Sequence, residues 1–182
     1  MSNNQNQLPT VLHQPDSKWI VHSVRDIHIP RLREELWADR TETRCRQLIK
    51  RINDAEERNR GLGIVISEDD DDDAPVLAYG QIMKWTRCAE ISDLVVIPSF
   101  RSKGIGSLMC QYLTRYIYKD TDVDCVEIGA AKSNPRALDL YRRLGFKDVY
   151  SINLKLEDKR EPVIYLRIFF KDYDDSMIFA DS

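Results

Sequence analysis

The 182-residue chain has no cysteine pair at Cys-x-x-Cys spacing; its four cysteines, Cys45, Cys88, Cys110 and Cys125, are scattered. That pattern excludes the common zinc-ribbon and thioredoxin-type motifs, and a chain of this size does not need disulfide staples. Reduced thiols in a cytoplasmic protein are the expected state. Histidine is scarce. His13, His22 and His28 all fall near the start, with no acidic or thiol partners at metal-ligand spacing, so no metal is expected. No apolar run approaches the ~20 residues of a membrane-spanning helix. The polar opening Met1 to Gln7 also lacks the basic and apolar parts of a signal peptide. A broad excess of one charge is missing too. The formal charge is −3, from 27 basic and 30 acidic residues, which argues against a nucleic-acid-coating protein. Six of the acids form one run, Glu68 to Asp73. Without it 27 bases face 24 acids, and the remainder is mildly basic.

What is present suits one globular domain: 42% hydrophobic and 31% charged residues in a length typical of a single core. Residues 1–17, with Pro9 and Pro15, read as an irregular lead-in. Residues 18–173 read as the domain, and 174–182 as an acidic tail. Within the domain, 18–25 has strand character, and a helical stretch in two pieces follows from Pro30 to Asn59, stopped by Gly61 and Gly63. Two β-type runs, 62–67 and 75–85, flank the acidic run and make it a long hairpin loop. A strand over 89–97 is closed by Pro98. Ile105, Leu108, Met109, Tyr112, Leu113, Tyr116 and Ile117 then trace a sustained 3.6-residue stripe, the strongest periodic signal in the chain. A strand over 124–131 leads to a helix capped by Asn134, opened by Pro135 and ended by Gly145. Two more strands, 149–156 and 162–170, follow. Strands and helices alternate only in the middle, so a mixed sheet covered by helices is expected.

The chemistry concentrates where the strand at 89–97 runs into Arg101-Ser102-Lys103-Gly104-Ile105-Gly106. Glycines at the turn into a helix leave backbone N–H groups unpaired and pointing outward, and the helix dipole adds positive potential. A phosphate or pyrophosphate is the natural ligand there, with Arg101 and Lys103 adding charge. Two familiar phosphate loops are excluded. The dinucleotide fingerprint would need glycine at Met109, and in the Walker loop lysine follows the glycine, whereas Lys103 precedes Gly104.

About thirty residues on stand Asn134-Pro135-Arg136-Ala137 and Tyr141-Arg142-Arg143-Leu144-Gly145-Phe146. Together the two segments resemble the GNAT superfamily of acetyl-CoA-dependent N-acetyltransferases. That family's signature, Arg/Gln-x-x-Gly-x-Gly/Ala and then Asn-x-x-Ala-x-x-x-Tyr-x-x-x-Gly-Phe, is matched by Arg101, Gly104, Gly106, Asn134, Ala137, Tyr141, Gly145 and Phe146. The resemblance covers roughly 89–147. It implies an α/β, three-layer fold: a twisted mixed sheet of six to seven strands, splayed in the middle and flanked by helices.

The resemblance also implies a cofactor site. Leu94, Val95 and Val96 would pair their backbone with the pantetheine arm. Arg101, Ser102, Lys103, Gly104, Ile105, Gly106 and Ser107 would wrap the pyrophosphate with main-chain N–H groups, leaving the side chains of Ser102 and Ile105 free to vary. Asn134 and Ala137 would approach the pantetheine across the splay; Asn134 serves equally well as a plain helix cap. Tyr141, a core aromatic by periodicity, would protonate the leaving thiolate of coenzyme A.

An alkyl ammonium with pKa ~10.4 must lose a proton before it attacks a thioester, at a cost of ~4–5 kcal/mol at pH 7, so a carboxylate acceptor is sought. Glu90, fourteen residues before Gly104, matches the glutamate base of the family's histone-modifying branch, and Asp93 and Glu127 compete for the role. Simple alternation puts Glu90 with Ser92, Leu94 and Val96 and turns Asp93 to the other face, unless the strand is bulged. The expected activity is direct acetyl transfer from acetyl-CoA to a primary amine of a small molecule or polyamine. A protein lysine or amino-terminal acetyltransferase is the alternative, and a non-catalytic acyl-CoA-binding module the second. The expected partners are acetyl-CoA and an amine, with neither nucleic acid nor membrane, and at most a second copy in a homodimer. The acidic run reads as a solvated loop, or as a lure for cationic substrates if it leans over the cleft.

Overall fold

The structure, a computed structural model, describes residues 10–14, 17–71, 73–156 and 159–172. Its strands are β1 (Thr10–Gln14), β2 (Ser17–Ser23), β3 (Gly61–Ser67), β4 (Ala78–Lys84), β5 (Cys88–Val96), β6 (Cys125–Ala131), β7 (Lys147–Leu156) and β8 (Lys159–Phe169). The helices are α1 (Ile29–Glu35), α2 (Glu42–Glu57), α3 (Ile105–Tyr118) and α4 (Pro135–Arg143). All eight strands join one mixed sheet in the order β1-β2-β3-β4-β5-β6-β8-β7. The pair β5–β6 is parallel and the other neighbours are antiparallel.

The sheet has one strand more than the six or seven expected. The addition is β1, inside the stretch read as irregular, where Thr10 to Gln14 pairs with Ser17 to Val21. In the sequence Pro9 and Pro15 stand just before and just after that strand, so the run Thr10 to Gln14 itself contains no proline. The acidic tail 174–182 lies outside the described residues.

Local chemistry explains the element boundaries. Thr41 caps α2 by accepting from Arg44 N at 3.3 Å, and Asn134 caps α4 by accepting from Ala137 N at 3.2 Å, with Pro135 in its first turn. Gly145, at φ +90°, ends α4 in the left-handed region that a side chain disfavours.

Each sheet face carries its own core. The stripe read in α3 supplies Ile105, Met109, Leu113 and Ile117, which pack with Leu138 and Tyr141 of α4 and with Ile82, Ile91, Val126 and Ile128 of the sheet. On the opposite face Leu32, Trp37, Cys45, Ile49 and Ile52 of the α1–α2 segment pack on Val65 and Tyr79, with the Trp37 ring edge-on to Tyr79 at 4.8 Å. Burying so many large apolar side chains, each worth ~1.5–3 kcal/mol, is the main term holding the layers together.

Two irregularities shape the centre. The ladder between β5 and β6 runs only from Cys88–Cys125 to Ile91–Ile128, and beyond it no pairing joins the two strands. In the β4–β5 ladder, Tyr79 faces Val95 while Gln81 faces Ser92, so β5 carries one extra residue at Asp93–Leu94 opposite Gly80. Asp93 takes φ +52° there, as the bulge geometry demands. Gly80 permits the close approach of α3. A β-carbon built on it would meet Leu94 Cδ1 at 2.9 Å and Met109 Cε at 3.0 Å. Gly80→Val should therefore overpack this contact and cost ~1–3 kcal/mol. Thermal melting should show a Tm several degrees lower; an unchanged Tm would mean that Met109 and Leu94 rearrange freely.

Candidate active site

The divergence of β5 and β6 opens a groove of about 480 Å³ on the α3–α4 side. One wall is Leu94, Val95 and Val96 of β5, whose edge toward β6 has no strand partner beyond Ile91. The far wall is Asn134, Ala137 and Tyr141 of α4. At the mouth lies the turn after β5, with Arg101, Ser102, Gly104, Gly106 and Ser107 all on the lining. Eleven of the thirteen residues assigned to a cofactor from the sequence thus meet in one place, although 27 positions separate Ser107 from Asn134.

The turn is built to present amides. Ser102 at φ +68° and Gly104 at φ +87° bend it back, and the Arg101 guanidinium pins it by donating from Nε to Val96 O at 3.0 Å. The helical ladder of α3 begins only at Leu108 N to Gly104 O, 3.0 Å. Among the described residues, no amide from Ser102 to Ser107 donates to a backbone carbonyl. Several N–H groups are therefore left for an external acceptor at the positive end of a fourteen-residue helix. Gly106 faces α4, where an added β-carbon would make an ordinary contact with Leu140 Cδ2 at 3.4 Å.

The other two assigned residues do not line the groove. The Lys103 ammonium lies 4.1 Å over the Phe100 ring. Ile105, expected to vary freely, is 1% exposed in the core beneath the turn and is corrected here to a packing residue. Ser102 is not free either, since its hydroxyl accepts from Arg136 Nη2. Conversely, Phe100, Arg136, Leu140 and Arg143 line the groove without having been singled out from the sequence. Positions 136, 140 and 143 recur at helical spacing on the α4 face that meets the turn. That spacing, with two cations in it, was the available signal.

Tyr141 is 6% exposed and packs beside Phe146, yet it reaches the lining. Its hydroxyl has no hydrogen-bond partner among the described residues. Burial pushes the phenol well above its ordinary pKa. It therefore stays protonated at neutral pH and can donate.

The three carboxylate candidates part company. The bulge turns Asp93 to the face of Ser92, contrary to simple alternation. There its carboxylate accepts from Gln81 Nε2 at 3.3 Å and pairs with Arg40 at 3.2 Å, while the buried Tyr79 hydroxyl donates to Gln81 Oε1 at 2.8 Å. Glu127 is held by Arg167 Nε at 2.6 Å and accepts from the Tyr150 hydroxyl at 2.9 Å. Glu90 does not line the groove. It stands opposite Glu127 one rung below the splay, half-buried, and accepts from Trp85 Nε1 at 3.2 Å. Among the described residues no cation forms an ion pair with it.

Comparison with known proteins finds the same fold. RimJ from Mycobacterium smegmatis, solved in complex with CoA-disulfide, matches with a TM-score of 0.76 at 14% identity, over 93% of this chain and 90% of that one. RimL, a ribosomal L7/L12 alpha-N-protein acetyltransferase solved with coenzyme A, matches at 0.71 and 13% identity, over 88% and 98%. The spermidine N-acetyltransferase of Vibrio cholerae, in complex with CoA and spermine, matches at 0.66 and 13% identity, over 84% and 96%. At such identities these likenesses establish the fold. The model of the acetyltransferase (GNAT) family matches residues 29–146, more than half of the chain, and the protein belongs to that family of acetyl-CoA-dependent acetyltransferases.

Proposed function

We propose that the protein transfers acetyl directly from acetyl-CoA, bound in the β5–β6 groove, to the primary amine of a small molecule or polyamine. The observation that carries this is the juxtaposition of an amide-lined, cationic turn with an unpaired strand edge and a protonated tyrosine at one groove. The residues fit the donor: amides 102–107 for the pyrophosphate, Arg136 and Arg143 for phosphate charge, and the β5 edge for the amide groups of pantetheine. The polyamine reading draws support from the spermine bound to the Vibrio cholerae neighbour; the acidic run contributes no lining to the groove, Asp70 lying 3.7 Å from His22 of β2. A protein amine is the second reading, favoured by the higher TM-score with RimJ.

In the transfer, Glu90 takes up the ammonium proton through water. Of the three carboxylates it is the one with no ion pair among the described residues, whereas Asp93 is engaged by Arg40 and Glu127 by Arg167. Backbone N–H groups near Val96 hold the charge developing on the thioester oxygen, a contribution of several kcal/mol where donors are fixed. Tyr141 then gives its proton to the thiolate sulfur.

Three outcomes are expected. Gly104→Asp sets a side chain at a φ of +87° and a negative charge beside the pyrophosphate. Calorimetry should show acetyl-CoA binding lost while the protein stays folded; unchanged affinity would remove the turn from the site. For Tyr141→Phe, steady-state kinetics should give a kcat lower by about 10²-fold, the low end for general acid catalysis, with acetyl-CoA affinity and Tm nearly unchanged. Normal turnover would return Tyr141 to a packing role. Glu90→Gln should lose most activity at pH 7 and regain part of it near pH 9–10, where about a tenth or more of an alkyl amine is neutral. A loss equal at every pH would mark Glu90 as structural, and no loss would move the proton acceptor to Asp93, Glu127 or water.

A further inference from the structure

Cys88 and Cys125 face one another at the first rung of the β5–β6 ladder, on the sheet face that carries Glu90 and Glu127. Neighbouring strands lie ~4.8 Å apart, inside the Cα separation of ~4.4–6.8 Å that a disulfide spans. The two Sγ atoms are 2.7 Å apart. That is closer than the ~3.5–4.0 Å at which nonbonded carbons rest, and sulfur is the larger atom. Cys88 is half-buried and Cys125 buried, so a small reagent approaches through Cys88. Cys45 and Cys110 lie instead in the cores beneath α2 and α3.

We propose that Cys88 and Cys125 form a reversible modification site: a dithiol that closes to an intramolecular disulfide across β5 and β6 by exchange with a low-molecular-weight disulfide such as oxidised glutathione. The Cys88 thiol gives its proton to water, and the resulting thiolate attacks one glutathione sulfur. The glutathione S–S bond breaks, and the first glutathione leaves as a thiolate that takes up a proton. Cys125 then loses its proton, attacks the Cys88 sulfur of the mixed disulfide and expels the second glutathione. Two protein thiols are oxidised and one glutathione disulfide is reduced to two thiols. Burial and the facing thiol hold the Cys88 thiol above its ordinary pKa, and Arg167, paired with Glu127 on the same face, opposes this only in part. Exchange therefore runs on the scale of minutes to hours. The bond ties the single parallel pair of the sheet at the end away from the groove, with three further rungs between it and the splay.

The test equilibrates the full-length protein with reduced and oxidised glutathione at increasing oxidised fraction, quenches with acid and counts thiols in denaturant. The count should fall from four to two, peptide mapping should join Cys88 to Cys125, and excess reduced glutathione should restore four. Closing a loop this long should raise Tm by roughly 5–10 °C. Cys125→Ser should instead retain a glutathione adduct on Cys88 and show no such rise; where that variant fails to fold, Cys88→Ser, at the more exposed position, should simply keep its three thiols. Four thiols surviving full oxidation, a bond to Cys45 or Cys110, or a link between chains would each overturn the proposal.

Discussion

The β5–β6 ladder stops at Ile91–Ile128, and the active-site groove exists because of that stop. Two parallel strands that stay paired present a closed surface; two that part expose the polar edge of each. Left bare, such an edge would cost the unmet hydrogen bonds of its amides and carbonyls. A linear ligand carrying its own amide groups can satisfy them, as a further strand would. The same divergence brings the turn after β5 against the first turn of α4, so that a turn presenting free amides and a protonated phenol share one cavity.

The bulge in β5 is the second constraint. Its extra residue lets Leu94 reach the face where α3 approaches Gly80, while Ser92 and Asp93 both meet Gln81 on the opposite face. A polar network of Arg40, Asp93, Gln81 and Tyr79 is thus built beside the groove, with the Arg40 guanidinium 4.8 Å over Trp37. It joins the α2 side of the molecule to the strand that forms the groove wall, and it holds the Asp93 carboxylate against Arg40 and Gln81.

Much of this was legible in the chain itself. The α3 stripe, the Asn134–Pro135 start of α4, the glycine that ends it and the strands on either side were readable because each rests on local rules: helical period, capping chemistry, the φ that only glycine accepts easily. The order of Arg101, Gly104 and Gly106 followed by Asn134, Ala137 and Tyr141 was legible for the same reason, since each half is a short segment with its own backbone demands. Strand β1 was missed because two prolines bound it closely, and a short edge strand takes its stability from its neighbour rather than from its own residues.

Sequence by itself determined the helices, the strands other than β1, the glycine turn after β5 and the identity of the groove-lining tyrosine, because these depend on contacts within a few residues. Only the tertiary structure decided the rest. A one-residue bulge reverses every face assignment after it, so Asp93 could not be placed without the β4–β5 register. The pairing of Glu127 with Arg167, the nearness of Cys88 to Cys125 and the arrival of Arg136 at Ser102 all join residues more than thirty positions apart. Such contacts are set by how the strands align and diverge, and no local pattern in the chain encodes that.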